Sequence, residues 1–206
     1  MSDRVPEGLA PAAKLRLNGR MKDYTIRSAR PGDERGIAAT QIVAWAQTYE
    51  GVLPDRLLNP WQEHALAAIW QRRLAEPTSR ALTYVAETGD RQIAGFGTCG
   101  QTRGRALPTT GEISLLYLRR SVQRRGAGRN LMRSMSAALL SRGYRSTGVW
   151  VLAENDKAVR FYEALGGIMV ASRTGQFGGH ATRELGFAWP TGLLARSGAL
   201  KGAAAR

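Results

Sequence analysis

Several residue types and patterns are scarce or missing in this chain of 206 residues. Its single cysteine, Cys99, has no partner in the chain, which excludes a scaffold of intrachain disulfides. No apolar run approaches the roughly 18 residues that a membrane-spanning helix needs, and residues 1–20 lack the continuous apolar segment of a secretory signal. The His, Cys and carboxylate residues show no metal-ligand spacing. We therefore expect a cytoplasmic protein without a metal site and without a membrane partner.

Acidic residues are also scarce: 16 of them stand against 30 basic residues, and the formal net charge is +14. Such a composition is typical of proteins with a polyanionic partner, such as nucleic acid or a phosphorylated ligand. It is equally typical of GC-rich bacterial genomes, so composition leaves both explanations open. The position of the charge is more informative, because residues 113–153 contain no Asp or Glu. The same segment contains eight arginines: Arg119, Arg120, Arg124, Arg125, Arg129, Arg133, Arg142 and Arg145.

Periodicity and turn residues predict seven strands and four helices. The predicted strands are 24–30, 81–87, 92–99, 112–118, 147–152, 168–174 and 181–187, with a turn at 175–180 between the last two. The predicted helices are one that opens at 31–34 and is interrupted at 51–54, and those at 55–76, 126–141 and 155–165. This order predicts an α/β fold with one mixed sheet of about seven strands and helices on both faces.

The chain ends differ in composition from the region between them. Residues 1–20 show no sustained period, so we expect a flexible N-terminal extension, a single domain over 21–189 and a flexible C-terminal tail over 190–206. Met21 directly precedes the first predicted strand, which makes an alternative translation start there a reasonable hypothesis.

One glycine pattern is misleading. Residues 95–100 match G-x-G-x-x-G, the dinucleotide-binding pattern. In a dinucleotide-binding fold those glycines open a helix whose N-terminus faces the pyrophosphate. Residues 101–108 end in Pro108 and cannot begin a regular helix, so we interpret these glycines as small residues of a strand.

Two other segments carry the functional signal. Residues 123–129, Gln-Arg-Arg-Gly-Ala-Gly-Arg, lie between the apolar strand and the third helix, where bare backbone and unpaired N–H groups form an anion site. A tight strand-to-helix turn would explain the same residues. Farther on, Asn155 can cap the fourth helix, which Gly166 and Gly167 end. Its apolar face carries Ala158, Phe161, Tyr162 and Leu165.

These segments resemble the two signature motifs of the GNAT superfamily of N-acetyltransferases, Q/R-x-x-G-x-G/A and N-x-x-A-x-x-F-Y-x-x-L-G. The order of predicted elements is also similar to that family over residues 24–187, about four fifths of the chain. The resemblance implies acetyl-CoA as co-substrate and direct acetyl transfer to an amine. It also implies that the first two helices, their loop and the last hairpin build the acceptor site, to which Trp45, Tyr49 and Glu50 could contribute.

Donor-binding positions follow from the resemblance, residue by residue. The backbone of residues 124–129 would hold the pyrophosphate, with Gln123 at the start of that loop. Residues 116–118 would pair with the pantetheine arm like an added strand, a bulge would separate this strand from the next, and the N–H near Leu116 would polarise the thioester carbonyl. Asn155 would contact the same arm. The implied donor-binding residues are Leu116, Tyr117, Leu118, Gln123, Arg124, Arg125, Gly126, Ala127, Gly128, Arg129 and Asn155.

Two residues are candidates for catalysis. Tyr162 would act as general acid toward the departing thiolate, whose conjugate thiol has a pKa of about 8.5; alternatively it is a core tyrosine. Glu112 matches a position where relatives carry a base acting through water; alternatively it is a solvated strand-end glutamate. The acceptor stays open among small-molecule and peptide amines, and a homodimer is possible.

Two non-enzymatic alternatives also remain. A GNAT-like protein could bind CoA for regulation without catalysis. A basic nucleic-acid-binding module would explain the net charge, but Tyr144 is the only aromatic residue between Arg119 and Arg145, where stacking side chains would be needed.

Overall fold

Residues 24–76 and 81–196 are described by the structure, a computed structural model. The predicted extension at 1–20 and residues 197–206 of the predicted tail lie outside that range. The strands are β1 Tyr24–Ser28, β2 Leu82–Thr88, β3 Ile93–Gln101, β4 Gly111–Leu118, β5 Ser146–Leu152, β6 Ile168–Phe177 and β7 His180–Pro190. The helices are α1 Glu34–Tyr49, α2 Glu63–Ala75, α3 Ala127–Ser141, α4 Asp156–Ala164 and α5 Thr191–Arg196. Short 3-10 turns occupy Asp55–Leu57 and Arg120–Val122.

The seven strands form one sheet in the order β1-β2-β3-β4-β5-β7-β6. Only β4 and β5 pair in parallel, and the other described pairs are antiparallel. Helices α1 and α2 pack on one face, around Ile37, Trp70 and Phe96. Helix α3, with α4, packs on the other face through Leu131 and Met135. The predicted mixed sheet with helices on both faces is confirmed.

Glycines in β3 serve packing between the sheet and its neighbours. A Cβ on Gly97 would lie 2.6 Å from the terminal methyl of Met135 on α3, and one on Gly95 would lie 3.2 Å from the Leu118 side chain. Bare backbone is therefore what lets α3 approach the sheet here. The G-x-G-x-x-G match lies within β3 and opens no helix.

The second helix begins later than its apolar spacing predicts. Residues 55–57 form a single 3-10 turn, and α2 begins only at Glu63. Pro60 lacks an N–H and disfavours helical backbone at the residue before it, so a helix cannot run through this point. The Leu57 carbonyl instead accepts a hydrogen bond of 2.9 Å from the Trp45 indole.

The last hairpin is longer than predicted, because β6 continues to Phe177 and β7 begins at His180. Gly178 and Gly179 both have positive φ, at 53° and 76°, and make a two-residue turn where the sequence analysis placed a turn of six residues. At the other end, Pro190 closes β7 and Thr191–Arg196 forms α5, which packs against α3. Residues 190–196 of the predicted tail therefore belong to elements of the fold.

No helix within residues 24–76 and 81–196 combines the length and the apolar character needed to cross a membrane. The same residues bring together no three His, Cys, Asp or Glu side chains that could hold a metal ion.

Candidate active site

A cleft opens in the middle of the sheet, where β4 and β5 separate. The two strands pair only at Gly111–Thr147 and Glu112–Gly148, and no later residue of either strand has a partner in the other. The resulting cavity, of about 580 Å³, is lined from both faces of the sheet, by α1 on one side and α4 on the other. A ligand that enters between the strands can therefore meet side chains from both helical layers.

The strands separate as expected, but the bulge lies elsewhere. Thr98 pairs with Leu115 and Cys99 pairs with Ile113, which leaves Ser114 as the extra residue of β4. The bulge therefore faces β3, where it bends β4, rather than lying between β4 and β5.

Backbone polar groups of β4 point into the cleft. The carbonyl oxygens of Leu115 and Tyr117 face β3, where they lie 3.1 and 3.2 Å from the Cβ positions of Gly97 and Gly95. Because direction alternates along a strand, the N–H and C=O groups of Leu116 point to the open side. This is the free edge that the resemblance implies for Leu116 and Leu118, and the Leu118 carbonyl there accepts a hydrogen bond of 2.8 Å from Gln123. The Tyr117 backbone faces β3 instead.

The loop before α3 has the shape of an anion-binding turn. Arg124 and Gly126 have φ of 58° and 87°, and α3 begins at Ala127 with no side chain as its cap. The N–H groups of its first turn are therefore presented outward, among the exposed side chains of Arg124, Arg125 and Arg129. A Cβ on Gly128 would lie 3.2 Å from the Phe161 ring, so this turn lies directly against α4.

Tyr24 holds this loop in place, and the sequence analysis did not identify it. Its hydroxyl donates a hydrogen bond of 3.1 Å to the Arg125 carbonyl and accepts one of 2.8 Å from the Asn130 amide. The side chain is 4% exposed, and burial raises its pKa, so the hydroxyl keeps its proton. The contacts span 101 and 106 positions of the chain, and no local pattern could reveal them.

Tyr162 projects from α4 into the core beside the cleft and lines the cavity. Its ring packs against Phe161, Phe187 and Trp189 at centroid distances of 5.3, 6.1 and 5.8 Å. Burial, and then the nearby Tyr49, raise the pKa of Tyr162 well above its ordinary value. The phenol is therefore fully protonated at neutral pH. Tyr162 is at once a packed aromatic and a group beside the cleft, so the two readings of this residue are compatible.

Glu112 lies where β4 and β5 part, and it is 3% exposed. Its Oε1 accepts a hydrogen bond of 2.7 Å from the Arg103 guanidinium, and its Oε2 accepts one of 3.0 Å from the Arg103 backbone N–H. Both carboxylate oxygens are thus engaged by one residue of the preceding loop, a partner that the sequence analysis missed. Glu112 is therefore oriented in the cleft wall, and it is not a freely solvated strand-end residue.

Asn155 stands at the N-terminus of α4 and lines the cavity. Its Oδ1 accepts a hydrogen bond of 3.2 Å from the Ala158 N–H. The helix cap therefore occupies its oxygen, and the amide NH₂ is the remaining donor of this side chain.

The half of the cleft away from the α3 loop is aromatic. The Trp45 ring lies 4.4 Å from Tyr49 and 4.9 Å from Phe177 between centroids. Tyr49 is hydrogen-bonded to Tyr117, and burial raises the pKa of both hydroxyls. Glu50, a sequence candidate for this region, does not line the cavity, and its exposed carboxylate lies 3.5 Å from Arg120 on the surface.

Comparisons with known proteins agree with this geometry. Residues 41–167 match the acetyltransferase (GNAT) family. A Bacillus subtilis (strain 168) protein named uncharacterized N-acetyltransferase YuaI is 30% identical over 166 residues, which cover 81% of this chain and 92% of that protein. The crystal structure of PaiA N-acetyltransferase from Thermoplasma acidophilum in complex with coenzyme A superposes with a TM-score of 0.65 at 15% identity, over 81% of this chain and 98% of that one. The spermidine/spermine N-acetyltransferase SpeG from Vibrio cholerae superposes with a TM-score of 0.60 at 15% identity, over 85% and 98%.

Proposed function

The chain belongs to the acetyltransferase (GNAT) family, and we propose that it transfers an acetyl group from acetyl-CoA to a primary amine of a small molecule or peptide by direct attack, with Tyr162 as general acid. It is an N-acetyltransferase, and acetyl-CoA is its co-substrate. The observation that carries the proposal is the opening between β4 and β5, which has an anion-binding loop at one end and a protonated phenol beside it.

The residues present fit the donor. The first turn of α3 offers N–H groups and positive charge to a pyrophosphate, and Gly126 leaves the approach free of a side chain. The outward C=O group of Leu116 and the outward N–H group of Leu118 suit the amide groups of a pantetheine arm, as an added strand would. Asn155 lines the same cavity.

Acetyl-CoA supplies the thioester, from which the amine takes the acetyl group while CoA leaves as a thiol. The N–H of Leu116 would stabilise the negative charge that develops on the carbonyl oxygen. The Tyr162 hydroxyl would donate its hydrogen bond to the departing sulfur. Because the pKa of Tyr162 is raised, this phenol stays protonated across the physiological range and acts chiefly as a hydrogen-bond donor.

The acceptor must lose a proton before it attacks, since an alkylammonium has a pKa of about 10. We assign this proton transfer to Glu112, acting through water. Its carboxylate is held in one orientation by Arg103 and faces the cavity beside Ser114. An oriented carboxylate within the cleft is the arrangement that a relayed proton transfer needs.

Calorimetric titration with acetyl-CoA tests the donor half of the proposal. Gly126→Glu adds both a side chain and a negative charge at the loop, and we expect it to abolish binding. Gly143→Glu is the matched control, because Gly143 has a similar φ of 83° at the other end of α3. Loss of binding in Gly126→Glu alone supports the site. Equal losses in both variants, or none in either, would overturn it.

A homodimer is the assembly that the surface supports best. Strand β6 lies at the edge of the described sheet and exposes Ile168, Met169 and Val170 at 66, 59 and 41%. An apolar edge strand of this kind is open to pairing with a second copy. Sedimentation should then give a dimer that Met169→Lys converts to a monomer, and a monomeric parent protein contradicts the assignment.

A further inference from the structure

The acceptor half of the cleft carries a charge pattern that narrows the class of amine. Four ionised side chains line the whole cavity within the described chain: Arg103, Glu112, Arg173 and Glu184. They form two ion pairs, Arg103–Glu112 at 2.7 Å and Arg173–Glu184 at 2.5 Å. The lining therefore has no net formal charge. A polyamine with three or four ammonium groups finds no surplus of carboxylates there.

Among the described residues that line the cavity, one carboxylate oxygen has no hydrogen-bond partner and is open to an ammonium group. Within the described residues, both oxygens of Glu112 are engaged by Arg103, whereas Glu184 bonds Arg173 through Oε2 and forms no hydrogen bond through Oε1. The charge of Glu184 also reaches groups inside the cleft. Burial first, and Glu184 after it, raise the pKa of Tyr49; the hydrogen bond to Glu112 first, and Glu184 after it, raise the pKa of Arg103. The cleft thus has room for one cationic nitrogen at this carboxylate.

The surrounding walls are aromatic and rigid. The indole N–H of Trp45 is tied to the Leu57 carbonyl at 2.9 Å, and Phe177 at the end of β6 lies 4.9 Å from the Trp45 ring. The hairpin turn beside Phe177 is also held in place, because Arg56 donates a hydrogen bond of 3.3 Å to the Gly178 carbonyl. Aromatic walls favour a ligand with an apolar or aromatic body, which packs by offset or edge contacts.

We propose that the acceptor is a monoamine with an aromatic or similarly bulky apolar body, which packs against Trp45 and Phe177. Its single ammonium group is attracted by Glu184 on entry, and it loses a proton through water to Glu112 before the neutral amine attacks the thioester. This rests on the proposed function, because it assigns the acceptor of that same cleft. Polyamines are poor acceptors for this chain, although SpeG shares its fold.

The test compares three amines by thiol release: phenethylamine, n-propylamine and spermidine. We expect kcat/KM for phenethylamine to exceed that of each of the others by about tenfold, from the ring contact. Spermidine as the best of the three, or equal values for phenethylamine and n-propylamine, overturns the assignment. Acetyl-CoA binding without acetylation of any of the three amines overturns it too. Absence of acetyl-CoA binding is the separate failure of the proposed function, and this assignment falls with it.

Variants of the cleft test which side chains determine the preference among amines. Phe177→Ala should lower the ratio of kcat/KM for phenethylamine to that for n-propylamine by about fivefold or more. Leu140→Ala removes an exposed apolar side chain of α3 outside the cleft and should leave the ratio unchanged. Glu184→Gln should raise KM for phenethylamine about tenfold without changing the affinity for acetyl-CoA. An unchanged ratio in Phe177→Ala or an unchanged KM in Glu184→Gln contradicts the assignment.

Discussion

The contact between Tyr24 and the α3 loop makes a sharp prediction, because one oxygen atom joins β1 to the backbone that would hold the pyrophosphate. Tyr24→Phe removes only that hydroxyl and keeps the buried ring. The Arg125 carbonyl then loses a donor at 3.1 Å, and the Asn130 amide loses an acceptor at 2.8 Å. The loop keeps its sequence and charge but loses the contact that fixes its position.

Two hydrogen bonds of this kind contribute about 1 kcal/mol each. Since about 1.4 kcal/mol corresponds to a tenfold change in affinity, we expect KM for acetyl-CoA to rise about five- to thirtyfold. The value of kcat should change by less than about twofold, because the groups that we propose to act on the thioester, Leu116 and Tyr162, lie away from this contact. Steady-state rates at saturating amine measure both constants.

S-acetylpantetheine separates positioning from general loss of structure, because it lacks the pyrophosphate and does not reach the loop. Its KM should be the same in Tyr24→Phe and the parent protein. Tyr84→Phe, the same change on the adjacent strand β2, should leave KM unchanged for both donors. Equal increases for acetyl-CoA and S-acetylpantetheine, or a lower melting temperature with unchanged KM, would refute the positioning role of Tyr24.

Three further predictions concern catalysis and the fold. Tyr162→Phe should lower kcat about tenfold or more with little change in acetyl-CoA affinity. In the parent protein the raised pKa of Tyr162 keeps the phenol protonated. A loss of kcat at alkaline pH with a pKa below about 10 would therefore show that another group titrates. Glu112→Gln should lower kcat/KM at neutral pH and approach the parent value near pH 10, where about half of an alkylamine is already deprotonated; a deficit that is constant with pH argues against a base. Leu194→Ala, at a side chain 1% exposed in α5, should lower the free energy of unfolding by about 2–5 kcal/mol in urea titrations, and a change below about 0.5 kcal/mol would place α5 outside the core.

Much of the fold could be read from local patterns. The strand and helix order followed from periodicity, and the G-x-G-x-x-G match could be rejected because the residues after Gly100 cannot open a helix. The predicted start of the second helix was wrong, because the apolar spacing from Leu58 to Ile69 was given more weight than Pro60, which interrupts a helix. The last hairpin was predicted too short because Gly175 and Gln176 resemble the start of a loop, although the Gly178–Gly179 turn alone suffices to reverse the chain.

The site could be predicted only as far as its motifs extend. Leu116 and Asn155 lie in segments whose local sequence carries the signal, and the structure brings both to one cleft. Gly126 lies in the α3 loop, which is next to α4 and outside the cavity lining. The groups that orient them come from distant parts of the chain. Tyr24 reaches the α3 loop from β1, and Arg103 reaches Glu112 from a loop with no pattern of its own. Such contacts are set by strand order and register, which a single sequence does not display.

Five of the eight arginines of the acid-free segment fall into two groups: two that contact other elements of the fold and three that surround the α3 loop. Arg119 donates a hydrogen bond of 3.1 Å to Thr40, and Arg120 pairs with Glu50. The exposed group at the loop is Arg124, Arg125 and Arg129. Tyr144, the one aromatic residue that could stack on a base, is packed against the core instead. The packing of Tyr144 therefore does not favour base stacking on this segment, and three of its exposed arginines lie at the loop where we propose that a phosphorylated donor binds. The acceptor half has no net charge, so donor binding and amine selection depend on different interactions. Attraction of the donor is electrostatic and falls as the salt concentration rises. Selection of the amine depends on aromatic contact and on one carboxylate.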